Sequence, residues 1–209
     1  VHLVIARSGD AENLEFDITR KNLVLPTVSS QMLENHTGYI QVTEFTEHTA
    51  EQFEEALDSL QGDGMTALIV DLRSNPGGML TSVCDMLDDI LPKGLLVYTE
   101  DRSGKRVDYT STDEKTLDLP LAVLVNGYSA SASEIFAGAI QDRKAGTIIG
   151  TTTYGKGVVQ SILTLKDGSA FKITTNRYFT PSGTCIQGIG ITPDEELEYE
   201  FTGPEGAGY

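Results

Sequence analysis

"PLAVLVNGYSASASEIFAGAIQD", residues 120–142, changes its pattern midway. Leu121 to Val125 form a continuous apolar run of strand length, and Asn126-Gly127 ends it. "IFAGAIQD" then reads as a helix. Ser131 and Glu134 stand three apart just before it, the spacing of a capping box with Ser131 as N-cap. Between strand and helix, Ser129, Ser131 and Ser133 alternate with alanines, so small residues crowd a turn that passes close to another group. A buried strand feeding a helix through a tight turn is the building unit of an α/β fold.

The same unit recurs upstream. "GYIQVTEF" (38–45) reads as a strand. "TAEQFEEALDSLQGDG" (49–64) reads as an amphipathic helix, with Thr49 as its cap, Phe53, Leu57 and Leu60 on one face, and Gly62 or Gly64 at its end. "MTALIVDLRS" (65–74) is almost wholly apolar before its last residues, the mark of a strand buried on both faces. "NPGG" (75–78) follows as a tight turn, and Leu80, Val83, Leu87 and Ile90 form the stripe of the next helix. "GLLVYTED" (94–101) is a strand, and 101–118 is a polar, hairpin-like segment. Downstream, "AGTIIGTTT" (145–153) is a strand and turn, and 158–181 is a hairpin turning at Asp167-Gly168. Strands alternating with helices from 38 to 150 predict α/β packing with buried parallel strands.

The first residues follow another plan. "VHLVIAR" (1–7) and "LEFDITR" (14–20) read as two strands joined by the turn "SGDAEN". Pro26 argues against further pairing, so a boundary is expected near Val28–Ser30. "VHLVIARSGD" has no basic-then-apolar leader pattern and begins mid-strand.

Composition narrows the function. The 209 residues carry a net charge of −16 with pI near 4.4, a surface that repels phosphate backbones, so no nucleic-acid partner is expected. The three histidines, His2, His36 and His48, are scattered, and Cys84 and Cys185 lack metal-ligand spacing, so no metal site is expected. Those cysteines, 101 positions apart, neither require nor exclude a disulfide. No apolar run reaches the length of a membrane span.

The serine turn admits two readings. Ser131 as a helix cap satisfies an orphan N–H. A hydroxyl in that position also faces free backbone N–H groups and the positive end of the helix dipole, which can stabilise an oxyanion. The turn alone does not decide between them. "TYGKGVVQ" (153–160) supplies a possible second component, because Lys156 sits between two glycines that bring the backbone close to a neighbour. A lysine taken out of water loses its charge readily and can serve as a general base. A serine–lysine pair needs only these two groups.

"VDLRSNPGG" (70–78), "GYSASASEIFAGAIQD" (127–142) and "TYGKGVVQ", in that order and followed by "GIGITPDEE" (188–196), resemble the tail-specific, or C-terminal processing, proteases. The resemblance covers about residues 30–195. It implies a ClpP/crotonase-like core of stacked β-β-α units, with residues 1–28 the last strands of a PDZ domain and residues 29–209 the catalytic core. It implies the middle serine, Ser131, as nucleophile, Lys156 25 positions later as base, and Gln160 orienting the lysine amine. Oxyanion donors are implied at the backbone of Gly77 and Ala132, leaving Ser129 and Ser133 structural. The implied substrates are extended, unstructured protein C-termini, cut after small apolar residues. No metal or organic cofactor is implied, an extracytoplasmic location is, and a homo-oligomer is compatible with the family. An extended substrate could add to a sheet edge, with the 158–179 hairpin as the candidate.

Two other readings of the same residues stay open: a catalytically silent peptide-binding module of the same fold, and a crotonase-like acyl-CoA enzyme sharing the oxyanion hole. The second would need a basic patch for the CoA phosphates, which the charge of −16 disfavours.

Overall fold

The apolar runs become neighbours in one six-stranded sheet. A computed structural model describes residues 1–9, 12–21, 23–112 and 116–198. Residues 10 and 11 of the first turn, 113–115 of the polar segment and 199–209 of the expected core lie outside the described residues.

The chain begins with β1 (His2–Ile5) and β2 (Leu14–Asp17), an antiparallel pair that forms a sheet of its own. Then come β3 (Val28–Met32), β4 (Thr37–Val42), α1 (Thr49–Gly62), β5 (Ala67–Asp71) and α2 (Leu80–Asp88). The strands β6 (Gly94–Asp101) and β7 (Arg106–Ser111) are followed by β8 (Leu121–Val125), α3 (Ala132–Asp142) and β9 (Thr147–Gly150). The hairpin β10 (Val158–Thr164) and β11 (Ala170–Phe179), and the two-residue β12 (Glu195–Glu196), complete the order.

The large sheet runs β12-β9-β8-β5-β4-β3. Strands β4, β5, β8, β9 and β12 are parallel to their neighbours, and only β3 is antiparallel to β4. The expected parallel α/β arrangement is therefore present. A second, antiparallel sheet runs β10-β11-β6-β7.

Helix α3 explains why its sequence carries no polar face. Every residue from Ala132 to Ile140 is buried, as an all-round apolar helix requires. It packs on α2 and on strands of both sheets, β9 and β6. Phe53, Leu57 and Leu60 of α1 are buried as their spacing predicts, as are Val83, Leu87 and Ile90 in and after α2. Each such side chain contributes about 1.5–3 kcal/mol on leaving water. Cys84 and Cys185 are both free thiols.

Three features differ from the sequence expectation. β3 starts two residues after Pro26 and pairs with β4 along its whole length. Its "VSSQM" carries only Val28 and Met32 as apolar residues, both half-buried against the core, so pairing with β4 supplements a small burial. β12 is set by its parallel register with β9, Glu195 opposite Ile149. Thr49 is not the cap of α1, since His48 holds that place. The buried Thr49 hydroxyl instead accepts the Thr46 N–H at 2.8 Å and donates to the Glu44 carbonyl at 3.0 Å, locking the turn that enters the helix.

Candidate active site

Three neighbouring parallel strands, β5, β8 and β9, each end in one of the sequence motifs. The "NPGG" turn follows β5, the serine turn follows β8, and the lysine loop follows β9. The carboxyl ends of such strands are where α/β sheets gather their ligands.

The turn after β5 is built on two buried polar side chains. Asp71 accepts a forked pair of bonds from Arg73 Nε and Nη2, the Arg73 N–H at 2.9 Å and the Tyr39 hydroxyl at 2.7 Å. Burial pushes its carboxyl up, but the Arg73 and Tyr39 bonds together outweigh that and hold it below its ordinary value. Asn75, fully buried, ties the turn to the serine loop: its side chain donates to the Val42 carbonyl at 2.8 Å, and its carbonyl accepts the Ala130 N–H at 3.0 Å. Gly77 has φ of +99°, and a Cβ there would lie 2.7 Å from Ser131 Cβ and 2.6 Å from the Ala130 carbonyl oxygen. Only glycine fits so close to the serine.

Ser131 is the N-cap residue of α3 and is held at φ 58°, ψ −113°, a conformation rare outside glycine. The serines around it are bound away from the cavity. Ser129 donates to the Leu72 carbonyl at 2.7 Å and accepts the Asn126 N–H at 3.0 Å. Ser133 donates to the Asn75 carbonyl at 3.0 Å. Both are fully buried, while Ser131 is half-buried.

Glu134 does more than cap the helix. Its fully buried carboxylate accepts four bonds: Ser131 N–H at 2.8 Å, Lys156 N–H at 2.8 Å, Gly155 N–H at 2.6 Å and the Thr153 hydroxyl at 2.6 Å. One side chain thus fixes the backbone of both the serine and the lysine. Sequence reasoning saw only the bond within the helix. The available signal was an acidic residue opening a helix with no polar face.

Tyr178 of β11 clamps the lysine loop from the other side. Its N–H donates to the Gly157 carbonyl at 3.1 Å and its hydroxyl to the Lys156 carbonyl. Burial pushes its phenol well above the ordinary tyrosine range; a hydrogen bond from the Ser131 side chain opposes that shift, and the Glu134 charge adds to it. Tyr178 therefore lies against both Ser131 and Lys156, a contact no local pattern in the sequence announced.

These elements enclose a cavity of about 350 Å³ lined by Ser131, Ala132, Lys156, Gln160, Gly78 and Tyr178, among others. The strand register of the hairpin shifts between Val159 and Gln160, two residues that line this cavity. Lys156 is half-buried and Gln160 exposed. Neither the Ser131 hydroxyl nor the Gln160 amide is hydrogen-bonded to the Lys156 amine in this state. The Gly77 amide does not face the cavity: it donates to Asn75 Oδ1 at 2.8 Å. The next residue, Gly78, lines the cavity in its place.

The chain belongs to peptidase family S41, whose model matches residues 36–197. It is 39% identical over 202 residues to a carboxyl-terminal-processing protease of Synechocystis, covering 95% of this chain and 47% of that protein. It is 42% identical over 206 residues to a carboxy-terminal-processing protease of Bartonella bacilliformis, again covering 95% of this chain and 47% of that protein. The chain thus spans about half the length of the curated relatives it matches. Among solved structures, a photosystem II D1 C-terminal processing protease superposes with a TM-score of 0.77 at 31% identity, covering 94% of this chain and 55% of that one.

Proposed function

We propose that this chain carries the catalytic centre of a serine endopeptidase that cleaves proteins near unstructured C-terminal tails, a reading supported by its relatives' names as carboxyl-terminal-processing proteases. The observation that carries the reading is the single cavity that Ser131, Ala132, Lys156 and Gln160 share with Gly78. Lys156, as the neutral amine, takes the proton of the Ser131 hydroxyl while Oγ bonds to the scissile carbonyl carbon. The oxyanion is received by the Ala132 N–H at the start of α3 and the Gly78 N–H; Gly78 takes the role first expected of Gly77, whose amide is already committed to Asn75. As the C–N bond breaks, Lys156 returns its proton to the leaving amine, and water then releases the acyl group. Gln160 orients the amine. The serine–lysine bond forms once substrate is seated, since catalytic hydrogen bonds are often loose in a free enzyme and tighten in the complex.

A ClpP/crotonase-like core is part of the same proposal, supported by the β3–β4–α1 unit and the strand-to-helix turn that carries Ser131. We propose residues 1–28 as the end of a PDZ domain. An isolated two-stranded sheet is marginal in water, and the exposed Leu3, Val4, Ile5 and Phe16 on β1 and β2 fit a larger domain. An extracytoplasmic location is part of the same proposal.

The test is cleavage of a folded protein bearing an unstructured C-terminal tail, by the full-length protein and by its Ser131→Ala variant, with products read by mass spectrometry. Tail cleavage lost in the folded Ser131→Ala variant supports the proposal; equal cleavage by both removes Ser131 as nucleophile.

A further inference from the structure

Lys156 is a wall between two cavities. One is the catalytic cavity. The other is a cleft of about 570 Å³ lined by Ser74, Pro76, Tyr128, Ala130, Tyr154 and Lys156. Its walls come from the same three strand ends that carry the serine, the lysine and the "NPGG" turn.

The cleft is built on ordered contacts. Asn126 Oδ1 accepts the N–H of Ser74 at 2.9 Å and of Tyr128 at 3.0 Å, while its Nδ2 donates to Ser74 Oγ at 3.2 Å. The Tyr154 N–H donates to the Ser129 carbonyl at 3.0 Å. Asn126 thus fixes the loop of Tyr128 to that of Ser74, and the buried serine turn fixes Tyr154. On this framework Tyr128 is 75% exposed and Tyr154 67% exposed. Aromatic rings left in water on an ordered backbone beside a reactive centre are side chains that can anchor a ligand, because they offer large contact area at low entropic cost. No carboxylate is among the described residues that line the cleft, although the chain has a net charge of −16. Its chemistry suits an uncharged, apolar occupant.

The reaction says which part of a substrate reaches it. Lys156 must return a proton to the departing amine, so that nitrogen comes within hydrogen-bond reach of its Nζ. The chain after the scissile bond therefore passes over Lys156, and the cleft lies on the lysine's other flank. We infer that the Tyr128–Tyr154 cleft is a specificity site for an apolar or aromatic side chain of the departing C-terminal fragment. This rests on the serine–lysine reading above.

The experiment uses the full-length protein and quenched-fluorescence peptides that differ only at the first few positions after the bond cut, with glycine, leucine or phenylalanine in turn. At one position, leucine or phenylalanine raises kcat/KM over glycine by about tenfold or more, the scale of a hydrophobic side-chain pocket. The Tyr128→Ser/Tyr154→Ser double variant, checked for folding by circular dichroism, reduces that ratio to less than about threefold, whereas Val107→Ser on exposed β7 leaves it unchanged. A ratio that survives in the double variant, or a preference lying only before the bond, overturns the inference. The same peptides, labelled and titrated against Ser131→Ala by fluorescence anisotropy, separate the two readings. Tyrosine-dependent preference in binding without any cleavage by the wild type overturns the protease reading and the departing-fragment role but keeps an apolar peptide site. Equal affinity for glycine and phenylalanine peptides overturns the site itself.

Discussion

Replacing Glu134 by glutamine removes one acceptor from a fully buried carboxylate that serves four donors. The amide oxygen can keep two of them, and the amide nitrogen must face the other two. With nitrogen in the place of Oε2, it meets the Ser131 and Lys156 N–H groups, and both lose their acceptor. With nitrogen in the place of Oε1, it meets the Gly155 N–H and the Thr153 hydroxyl. The hydroxyl can rotate and accept beside the Ile191 N–H it already holds, so this orientation costs less: it strands one buried N–H and the hydroxyl's own proton. An unsatisfied buried donor costs about 1–3 kcal/mol, and the bonds that persist lose their charge assistance, so a total near 3–5 kcal/mol is expected. At about 2–4 °C per kcal/mol in a protein of this size, Tm falls by about 6–20 °C. The lysine loop then loses its Gly155 anchor, and a shift of about 1 Å in a reacting group costs on the order of 100-fold in rate. The assay is a thermal melt with kcat/KM on a cleavable peptide for wild type, Glu134→Gln and Glu134→Asp, whose shorter arm cannot reach both loops. A Glu134→Gln protein with Tm within about 2 °C and kcat/KM within about threefold of wild type would refute the linking role.

Lys156→Arg keeps a cation that cannot deprotonate, so kcat/KM is expected to fall by several orders of magnitude, as in Lys156→Ala, whereas Gln160→Ala loses only an orienting group and falls by about tenfold; a near-normal Lys156→Arg enzyme removes the base from the mechanism. Ser129→Ala deprives the Asn126 N–H of its acceptor and the Leu72 carbonyl of one of its two donors, the Asn75 N–H remaining. A loss of about 1–3 kcal/mol in urea unfolding is expected, with the nucleophile intact; inactivity in a folded Ser129→Ala protein contradicts the choice of the middle serine. Asp71 has its folded-state pKa lowered by Arg73 and Tyr39 against the effect of burial. Its contribution is therefore present above the ordinary carboxyl value near about 4 and is lost as pH falls through the lower folded value. Urea midpoints followed from about pH 7 to about pH 2.5 show a shallower acid loss in Asp71→Asn than in wild type; equal slopes count against that ion pair.

Much of the architecture was legible because apolar periodicity is a local property. The run Leu121–Val125, the break at Asn126-Gly127 and the Ser131–Glu134 spacing identify a strand, a turn and a capped helix, and those elements are present. The helix faces of α1 and α2 follow from the same rule. β3 and β12 were not legible, since a polar strand and a two-residue strand are stabilised by partners distant in sequence rather than by their own pattern. The tertiary structure also decided what each polar group is bound to. Asn75 takes the Gly77 amide and leaves Gly78 to line the cavity. Glu134 reaches donors 19 to 22 residues away. Tyr178 arrives at Lys156 on a strand of the second sheet. A buried donor or acceptor must be satisfied by whatever the packed chain brings to it, and no local spacing encodes which loop that is.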